Sequence, residues 1–181
     1  MTCIVGLEHN GKVTIGGDSA GTNGWLQQTI RADMKVFPIE EFAFGFTSSF
    51  RMGQLLRYKL HPPPFPENVD LESYMVTIFV DQVRQTLKDG GFAEKQHEVE
   101  RGGCFLVGIR GCLFTVDSDY QVGRSVDGYA AAGCGDDLAL GALYATSLSN
   151  RSARWRLQTA LEAAAKFSAG VAPPFNFVET S

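Results

Sequence analysis

The sequence predicts an α+β layered fold in a single domain spanning residues 1–181. Short alternating, β-branched segments occur in blocks, and amphipathic helical segments occur in separate blocks. Their order is strands, two helices, strands, two helices and a final strand. Blocks of this kind favour a layered α+β fold over a doubly wound sheet, in which strands and helices would alternate. The length of 181 residues suits one domain with a sizeable core.

The first block contains two predicted strand pairs. Asn10-Gly11 lies between two alternating segments and is a strong signal for a tight hairpin turn. Glu40-Glu41 marks the turn of the second pair, and the polar, glycine-containing stretch 19–28 is predicted to be a loop. The predicted strands of this block are Thr2–Glu8, Val13–Gly17, Lys35–Ile39 and Phe42–Thr47.

Apolar residues at helical spacing define the first two helices. One helix is predicted to begin at Ser48 or Ser49 and to end near Leu60, ahead of three prolines. The second covers Leu71–Leu87 and is followed by a Gly-Gly pair.

The second half of the chain repeats this order. An Arg-Gly turn predicts a hairpin, and acidic residues at a helix start suit the helix dipole. The predicted elements are strands Phe105–Ile109, Cys112–Val116 and Tyr129–Ala132, helices from Asp136 or Asp137 to about Leu148 and Ala153–Phe167, and an edge strand Phe175–Val178.

Composition excludes several classes of function. The net charge of −4, without a basic run, argues against nucleic acid as a partner. No apolar run reaches the roughly 20 residues that span a membrane, and the first residues lack the basic and long apolar regions of a signal peptide. The histidines are scattered and no C-x-x-C pair occurs, so we expect neither a metal site nor a cofactor. We expect a cytoplasmic protein in which the cysteines are free thiols. The cysteines are Cys3, Cys104, Cys112 and Cys134.

The segment GGDSAGT, residues 16–22, admits a serine nucleophile as one hypothesis. Ser19 fits the G-x-S-x-G pattern of a nucleophile elbow and resembles the GDSGG box of chymotrypsin-type proteases. An elbow needs a following helix, but the residues after Ser19 include Gly21 and Gly24, which break helices. The chymotrypsin order needs its histidine upstream, where only His9 occurs, and the downstream histidines His61 and His97 lie in unfavourable contexts. The sequence therefore disfavours Ser19 as the nucleophile.

The chain terminus offers a second hypothesis. If Met1 is removed, Thr2 carries both a hydroxyl and a free α-amine, and this amine can act as the base for its own hydroxyl. Such a base needs a nearby cation to lower its pKa and a buried anion to hold that cation. It also needs a backbone N–H group for the oxyanion.

Three segments carry a resemblance that favours the second hypothesis. They are MTCIVGLEHNGKVTIGGDSAGT at the start, KVFPIEEFAFGFTSS from residue 35, and YAAAGCGDDLALGALYA from residue 129. In this order they resemble the proteasome β-subunit family of N-terminal-nucleophile hydrolases, most closely the bacterial HslV-type peptidases. The spacing differs from the family, because the stretch from Asp18 to Lys35 is one residue longer and the stretch from Lys35 to Gly45 is shorter. Serines follow Thr47 where the family has a second glycine, Cys134 stands in place of a serine, and the family's late aspartate has no clear counterpart.

The resemblance implies a role for particular residues. Thr2 corresponds to the nucleophile, Lys35 to the lysine that tunes its amine, and Asp18 to the aspartate that orients the lysine. Gly45 corresponds to the oxyanion donor, and Cys134 to the partner of the threonine amine. The residues expected to bind substrate as an added strand are Ala20, Gly21, Thr22 and Thr47.

The resemblance also implies an architecture and partners. The expected fold is a four-layer α/β/β/α sandwich, with two antiparallel sheets between helix pairs. The expected function is that of a threonine-type peptidase that hydrolyses peptides or unfolded proteins inside a homo-oligomeric ring, with an ATPase unfoldase as a possible partner. A catalytically silent ring subunit, and an amidase or ligase on the same scaffold, remain alternatives.

Overall fold

The computed structural model describes residues 1–23, 25, 27–96 and 99–180. The strands of its first half are β1 (Cys3–His9), β2 (Lys12–Gly17), β3 (Ala20–Thr22), β4 (Gln28–Ile30), β5 (Val36–Ile39) and β6 (Phe42–Phe46). The later strands are β7 (Glu94–Gln96), β8 (Val99–Arg101), β9 (Phe105–Ile109), β10 (Cys112–Val116), β11 (Val122–Gly123), β12 (Tyr129–Gly133) and β13 (Asn176–Glu179). The helices are α1 (Phe50–Lys59), α2 (Leu71–Ser73), α3 (Val80–Asp89), α4 (Asp136–Ala145) and α5 (Ala153–Phe167), and a π-helical stretch (Tyr74–Phe79) joins α2 to α3.

One antiparallel sheet carries the start of the chain. Its strand order is β12-β1-β2-β13, with Cys3 opposite Gly133 and Ile4 opposite Gly17. Alternate residues of β1 pack against α4 and α5 on the outer face, while Ile4 faces inward. Because both faces of β1 are buried, its sequence CIVGL is almost continuously apolar.

The second antiparallel sheet has the order β11-β10-β9-β6-β5, with α1 and α3 on its outer face. Alternation along β6 directs Phe42, Phe44 and Phe46 toward these helices. The Phe44 ring stacks on Phe37 with centroids 5.5 Å apart. Aromatic rings therefore fill most of this outer core.

A third apolar cluster lies between the two sheets. It consists of Ile4, Val13, Ile15, Val36, Ala43, Leu106, Leu113 and Ala130. The layers are therefore a helix pair, a sheet, a sheet and a second helix pair. The predicted α+β, four-layer α/β/β/α sandwich is confirmed.

The structure differs from the sequence prediction in three places. The stretch 19–28, predicted to be a loop, contains β3 and the first residue of β4, whose strands form a short hairpin. The helix predicted over 71–87 is π-helical over residues 74–79, where the side chains of Tyr74, Met75 and Phe79 are buried in the core. The short pair β7–β8 was not predicted, because charged residues dominate it.

Candidate active site

Three side chains meet where the ends of the two sheets lie together. Thr2 immediately precedes β1, Asp18 follows β2, and Lys35 precedes β5 of the other sheet. The Lys35 Nζ atom lies 2.7 Å from Asp18 Oδ1 and 2.9 Å from Thr2 Oγ1. The structure thus brings together the three residues that the sequence singles out, although their catalytic role remains a prediction.

The Asp18 carboxylate links several segments of the chain. Oδ1 accepts the Cys3 N–H at 3.0 Å in addition to the Lys35 ammonium, and Oδ2 accepts the N–H groups of Ala20 at 2.9 Å and Ala172 at 3.3 Å. Its side chain is fully buried. A buried carboxylate is tolerated when it is paired and its oxygens are hydrogen-bonded, as here. Asp18 therefore fixes Lys35 and does not face solvent.

Lys35 is an almost fully buried cation, with 1% of its side chain exposed. Burial lowers the pKa of its ammonium below the ordinary value, and the negative charge of Asp18 opposes that shift. A positive charge beside Thr2 disfavours protonation of any amine at the Thr2 nitrogen. Lys35, held by Asp18, thus supplies the positive charge that would lower the pKa of an N-terminal amine at Thr2.

The backbone nitrogen of Thr2 contacts Cys134, as predicted for that position. The Thr2 N–H donates to Cys134 Sγ at 3.3 Å, and Thr2 Oγ1 donates to the Met1 carbonyl at 2.6 Å. Cys134 is exposed and its sulfur lies 3.6 Å from Ser168 Oγ. While Met1 is attached, the Thr2 nitrogen is an amide and cannot accept a proton.

Gly133 permits this close approach. Its φ of +110° lies in the region that favours glycine, and a Cβ there would collide with the Thr2 carbonyl oxygen. Glycine at position 133, the last residue of β12, therefore has a steric explanation.

Gly45 does not lie at the site, and its predicted role as the oxyanion donor is wrong. The Phe46 N–H donates to the Lys35 carbonyl on the β5 side at 3.0 Å, so alternation turns the Gly45 N–H toward Leu106 of β9. A Cβ on Gly45 would collide with Ile4 of the facing sheet. Gly45 therefore has a packing role between the sheets.

Thr47 is likewise unable to pair with a substrate strand through its backbone. Its N–H donates to the Cys104 carbonyl at 3.0 Å, and its own carbonyl accepts the Ser49 N–H at 2.8 Å. The Thr47 side chain still lines the cavity beside Thr2. The backbone therefore does not fit the predicted pairing of a substrate strand with Thr47, and β5 and β9 already cover both edges of the preceding strand β6.

Ser48 is a further residue of the Thr2 cavity. It lines that cavity, and its N–H donates to no acceptor within the described ranges. Its φ is +65°, and its Oγ accepts the Cys104 N–H at 3.0 Å, which helps to hold this left-handed conformation. One signal in the sequence points to Ser48, which follows Thr47 at a position where the family resemblance has a glycine.

Two backbone hydrogen bonds define which edge of β3 is open. The Ser19 carbonyl accepts the Arg31 N–H at 2.8 Å, and the Gln27 carbonyl accepts the Asn23 N–H at 3.1 Å. In an antiparallel pair such bonds recur at every second residue. Gly21, midway between them, therefore directs its N–H and C=O groups toward β4.

Ala20 and Thr22 consequently direct their backbone groups away from β4. The Ala20 N–H is used by Asp18. Thr22 lines the Thr2 cavity, and its N–H and C=O groups lie on the open edge. Of the residues predicted to bind substrate, Thr22 is the best placed.

Ser19 has no base beside it in the described ranges. Its Oγ donates to the Pro174 carbonyl at 2.6 Å and accepts from the Asn176 side chain at 3.1 Å. His9 is the exposed last residue of β1, and His61 is exposed in the segment after α1, while His97 lies outside the described residues. The structure therefore gives Ser19 a structural role.

Metal-ion clusters and membrane-spanning helices are both absent from the described residues. No three His, Cys, Asp or Glu side chains in residues 1–23, 25, 27–96 and 99–180 are grouped to hold a metal ion. No helix in these ranges is long and apolar enough to cross a membrane.

Comparison with known proteins places this geometry on a familiar scaffold. No protein-family model and no curated protein matches the chain. The solved structure of Thiobacillus denitrificans BPH matches with a TM-score of 0.83 and 18% identity, over 99% of this chain and 98% of that one. A second structure of that protein, in complex with epoxomicin, matches with a TM-score of 0.82.

Two other kinds of protein share the architecture. Eukaryotic HslV from Trypanosoma brucei matches with a TM-score of 0.71 and 17% identity over 98% of each chain. Anbu, an ancestral β-subunit from Yersinia bercovieri, matches with a TM-score of 0.68 and 14% identity over 99% of this chain and 81% of that one. All are proteasome β-subunit-like N-terminal-nucleophile hydrolases. The chain has their fold, as the resemblance in the sequence implies.

Proposed function

We propose that this chain, which has the fold of the proteasome β-subunit-like N-terminal-nucleophile hydrolases, is a threonine-type peptidase that acts through Thr2 after loss of Met1. One observation carries the proposal: a buried hydrogen-bonded chain joins Thr2 Oγ1, Lys35 Nζ and Asp18 Oδ1 at the start of a strand. The same chain places the Lys35 ammonium on the hydroxyl that would attack, while Asp18 holds the ammonium in place.

In the proposed reaction, Thr2 Oγ attacks a peptide carbonyl carbon and the Thr2 amine takes the hydroxyl proton. The same amine then gives that proton to the leaving amine, and water hydrolyses the resulting ester. An α-amine has an ordinary pKa of about 8, and the Lys35 cation lowers it, so that a neutral base is present at cellular pH. Activity should therefore fall as the pH drops and the amine becomes protonated.

Ser48 supplies the oxyanion donor in this proposal. Ser48 lines the cavity that Thr2 also lines, and its N–H donates to no acceptor in the described part of the chain, which supports this role. A fixed backbone donor of this kind stabilises the negative charge that develops on the attacked carbonyl oxygen.

The substrate is a peptide or unfolded protein in an extended conformation. The open edge of β3 at Thr22 supports this, because an added strand could pair with its N–H and C=O groups. Such pairing is independent of side chains and would orient the scissile bond toward Thr2.

We also propose assembly into a homo-oligomeric ring in the cytoplasm. The helices α4 and α5 and the segment between them expose Tyr144, Phe167 and Leu148 by 73%, 75% and 98%, which suits a surface that another subunit covers. The four cysteines are free thiols, as in reducing compartments. An ATPase unfoldase as partner rests on the resemblance to HslV-type peptidases.

A catalytically silent ring subunit is the second candidate. It is favoured by the fit of Met1, whose carbonyl accepts the Thr2 hydroxyl and whose sulfur packs against Gly170. The similarity to Anbu, an ancestral β-subunit, is compatible with either candidate.

The mass of the intact protein, measured with and without a peptide epoxyketone such as epoxomicin, tests the proposal. This reagent needs a hydroxyl and a free α-amine on one residue, so loss of Met1 together with one adduct per chain is expected. Thr2→Ala should give no adduct, while the matched control Ser19→Ala should react like the wild type. A retained Met1 without an adduct would favour the silent subunit.

A further inference from the structure

A thiol and a nitrogen atom lie side by side at the start of the chain. The Thr2 nitrogen is 3.3 Å from Cys134 Sγ, and the Cys134 side chain is exposed. Loss of Met1 turns this nitrogen into a primary amine, so that a nucleophilic thiol and an amine face each other. A cysteine thiolate attacks acyl groups and forms thioesters, which a neighbouring amine converts into amides. The pair can therefore pass an acyl group from sulfur to nitrogen.

Met1 shows that this place accepts an acyl group. In the structure the Thr2 nitrogen carries the carbonyl carbon of Met1, which is chemically an acyl group on that nitrogen. Its oxygen accepts the Thr2 hydroxyl at 2.6 Å. A Cβ on Gly170 would collide with the Met1 side chain and would lie 2.7 Å from Cys134 Sγ, so glycine leaves space for both. A short acyl chain can therefore occupy the place of Met1.

We propose that Cys134 takes an acyl group from a small thioester and passes it to the α-amine of Thr2. This inference rests on the loss of Met1 in the proposed function, and it names a reaction that switches the same site off. In the first step the Cys134 sulfur attacks the thioester carbonyl, and the donor's thiol leaves with the proton of Cys134. In the second step the Thr2 amine attacks the new thioester, the carbon–sulfur bond breaks, and an amine proton returns to the Cys134 sulfur.

The second step is favoured by position and charge. The carbonyl carbon of a thioester on Cys134 is one bond from the sulfur, so it can reach the roughly 3–3.5 Å from the Thr2 nitrogen that suits attack. Groups held together in this way react as if each were present at a very high concentration. The Lys35 cation, 2.9 Å from Thr2 Oγ1, favours the neutral and hence nucleophilic form of the amine. The transfer runs in one direction, because an amide is more stable than a thioester.

The product lacks the base of the proposed peptidase. An acylated Thr2 nitrogen is an amide, like the nitrogen that carries Met1 in the structure, and it cannot accept the hydroxyl proton. Acylation should therefore abolish both peptide cleavage and the reaction with an epoxyketone. The transfer depends on cysteine at position 134, because a hydroxyl exchanges with thioesters far more slowly than a thiolate does.

The test uses phenyl thioacetate as the acyl donor at pH 8, with mass spectrometry of the intact chain and of its peptides. Thr2→Ala is the decisive variant, because it keeps the α-amine and Cys134 but cannot form an ester on a threonine hydroxyl. Hydroxylamine cleaves a thioester and leaves an amide intact, so it separates the intermediate from the product. Cys112→Ser is the matched control, since Cys112 is a half-buried free thiol on β10.

We expect the wild type, Thr2→Ala and Cys112→Ser to gain one hydroxylamine-resistant acetyl group on the nitrogen of residue 2. Thr2→Ala/Cys134→Ser should gain it at least roughly tenfold more slowly than Thr2→Ala. Equal rates for these two variants, or an acetyl group that stays on Cys134 as a thioester, overturn the inference whatever the epoxyketone result. Acetylation as expected, but no epoxyketone adduct on the untreated wild type, overturns the proposed function alone. Retention of Met1 in all these proteins overturns both.

Discussion

Replacing Lys35 by methionine should destabilise the protein as well as silence it. The side chains of Lys35 and Asp18 are 1% and 0% exposed, with Nζ and Oδ1 2.7 Å apart. Removal of one partner from a buried ion pair leaves an uncompensated charge and costs about 3–5 kcal/mol. For a chain of this length that corresponds to a drop in Tm of roughly 6–20 °C. We expect the lower part of this range, because three backbone N–H groups still bind the carboxylate.

Substitutions of Asp18, alone and together with Lys35→Met, separate the effect of the buried charge from the loss of packing. Asp18→Asn should also destabilise, because it leaves the Lys35 ammonium buried without an anion. The double variant Lys35→Met/Asp18→Asn contains neither charge, so its loss of stability should be smaller than the sum of the single losses by about 1–3 kcal/mol. All three variants should lack peptidase activity.

Urea unfolding followed by circular dichroism measures these free energies. Lys59→Met is the matched control, since Lys59 is exposed and its loss should cost at most about 0.5 kcal/mol. A Lys35→Met protein within about 1 kcal/mol of the wild type would refute the buried pair, and so would strictly additive losses in the double variant.

Three further substitutions or reactions test the surroundings of Thr2. Ser48→Gly should keep activity and change the free energy of unfolding little, because relief of the left-handed strain offsets the lost Oγ hydrogen bond. Ser48→Val should lower the free energy of unfolding by about 1–3 kcal/mol and reduce kcat strongly. Equal kinetics for the two variants would argue against Ser48 as the oxyanion donor. Maleimide at pH 8 should label the exposed Cys134 and block activity. Cys3 should not react, because burial raises the pKa of its thiol to about 12. Mass spectrometry of proteolytic peptides identifies the labelled cysteine. Ser19→Ala should cost about 1 kcal/mol in unfolding experiments and leave turnover intact, and an inactive variant would revive the serine hypothesis.

The sequence predicts the buried polar residues of the site better than its backbone donors. Asp18 and Lys35 follow or precede strands whose patterns are clear, so their positions at the sheet ends can be inferred. Ser48 could not be inferred in the same way, because its positive φ and free N–H depend on the hydrogen bond from Cys104, which is distant in the sequence. In this protein the sequence pattern therefore predicts the buried charged side chains of the site, but not the backbone turn that would supply the oxyanion donor.

The edge that would bind substrate was predicted only in part. The residues Ala20, Gly21 and Thr22 were identified as a group, but only the pairing of β3 with β4 distinguishes them. Alternation of the backbone groups depends on this pairing, and a polar, glycine-containing segment gives little indication of it. The four-layer fold was predictable because the strands and helices that form it are apolar and periodic.

Gly45→Ala distinguishes the predicted role of Gly45 from the role seen in the structure. Alanine keeps a backbone N–H, so an oxyanion donor at this position would tolerate the change. In the structure, an added Cβ would collide with Ile4 and lie 2.7 Å from Ile15 Cγ2, between the two sheets. The sheets must separate or repack, at a cost of about 1–3 kcal/mol.

This separation should also weaken the site, because Lys35 comes from one sheet and Thr2 and Asp18 from the other. We therefore expect Gly45→Ala to lower both the urea midpoint and kcat/KM. Gly141→Ala is the control, since a Cβ there meets no atom within 4 Å. If Gly45→Ala were as stable and as active as the wild type, the tight packing of the sheets could not be what holds Lys35 against Thr2.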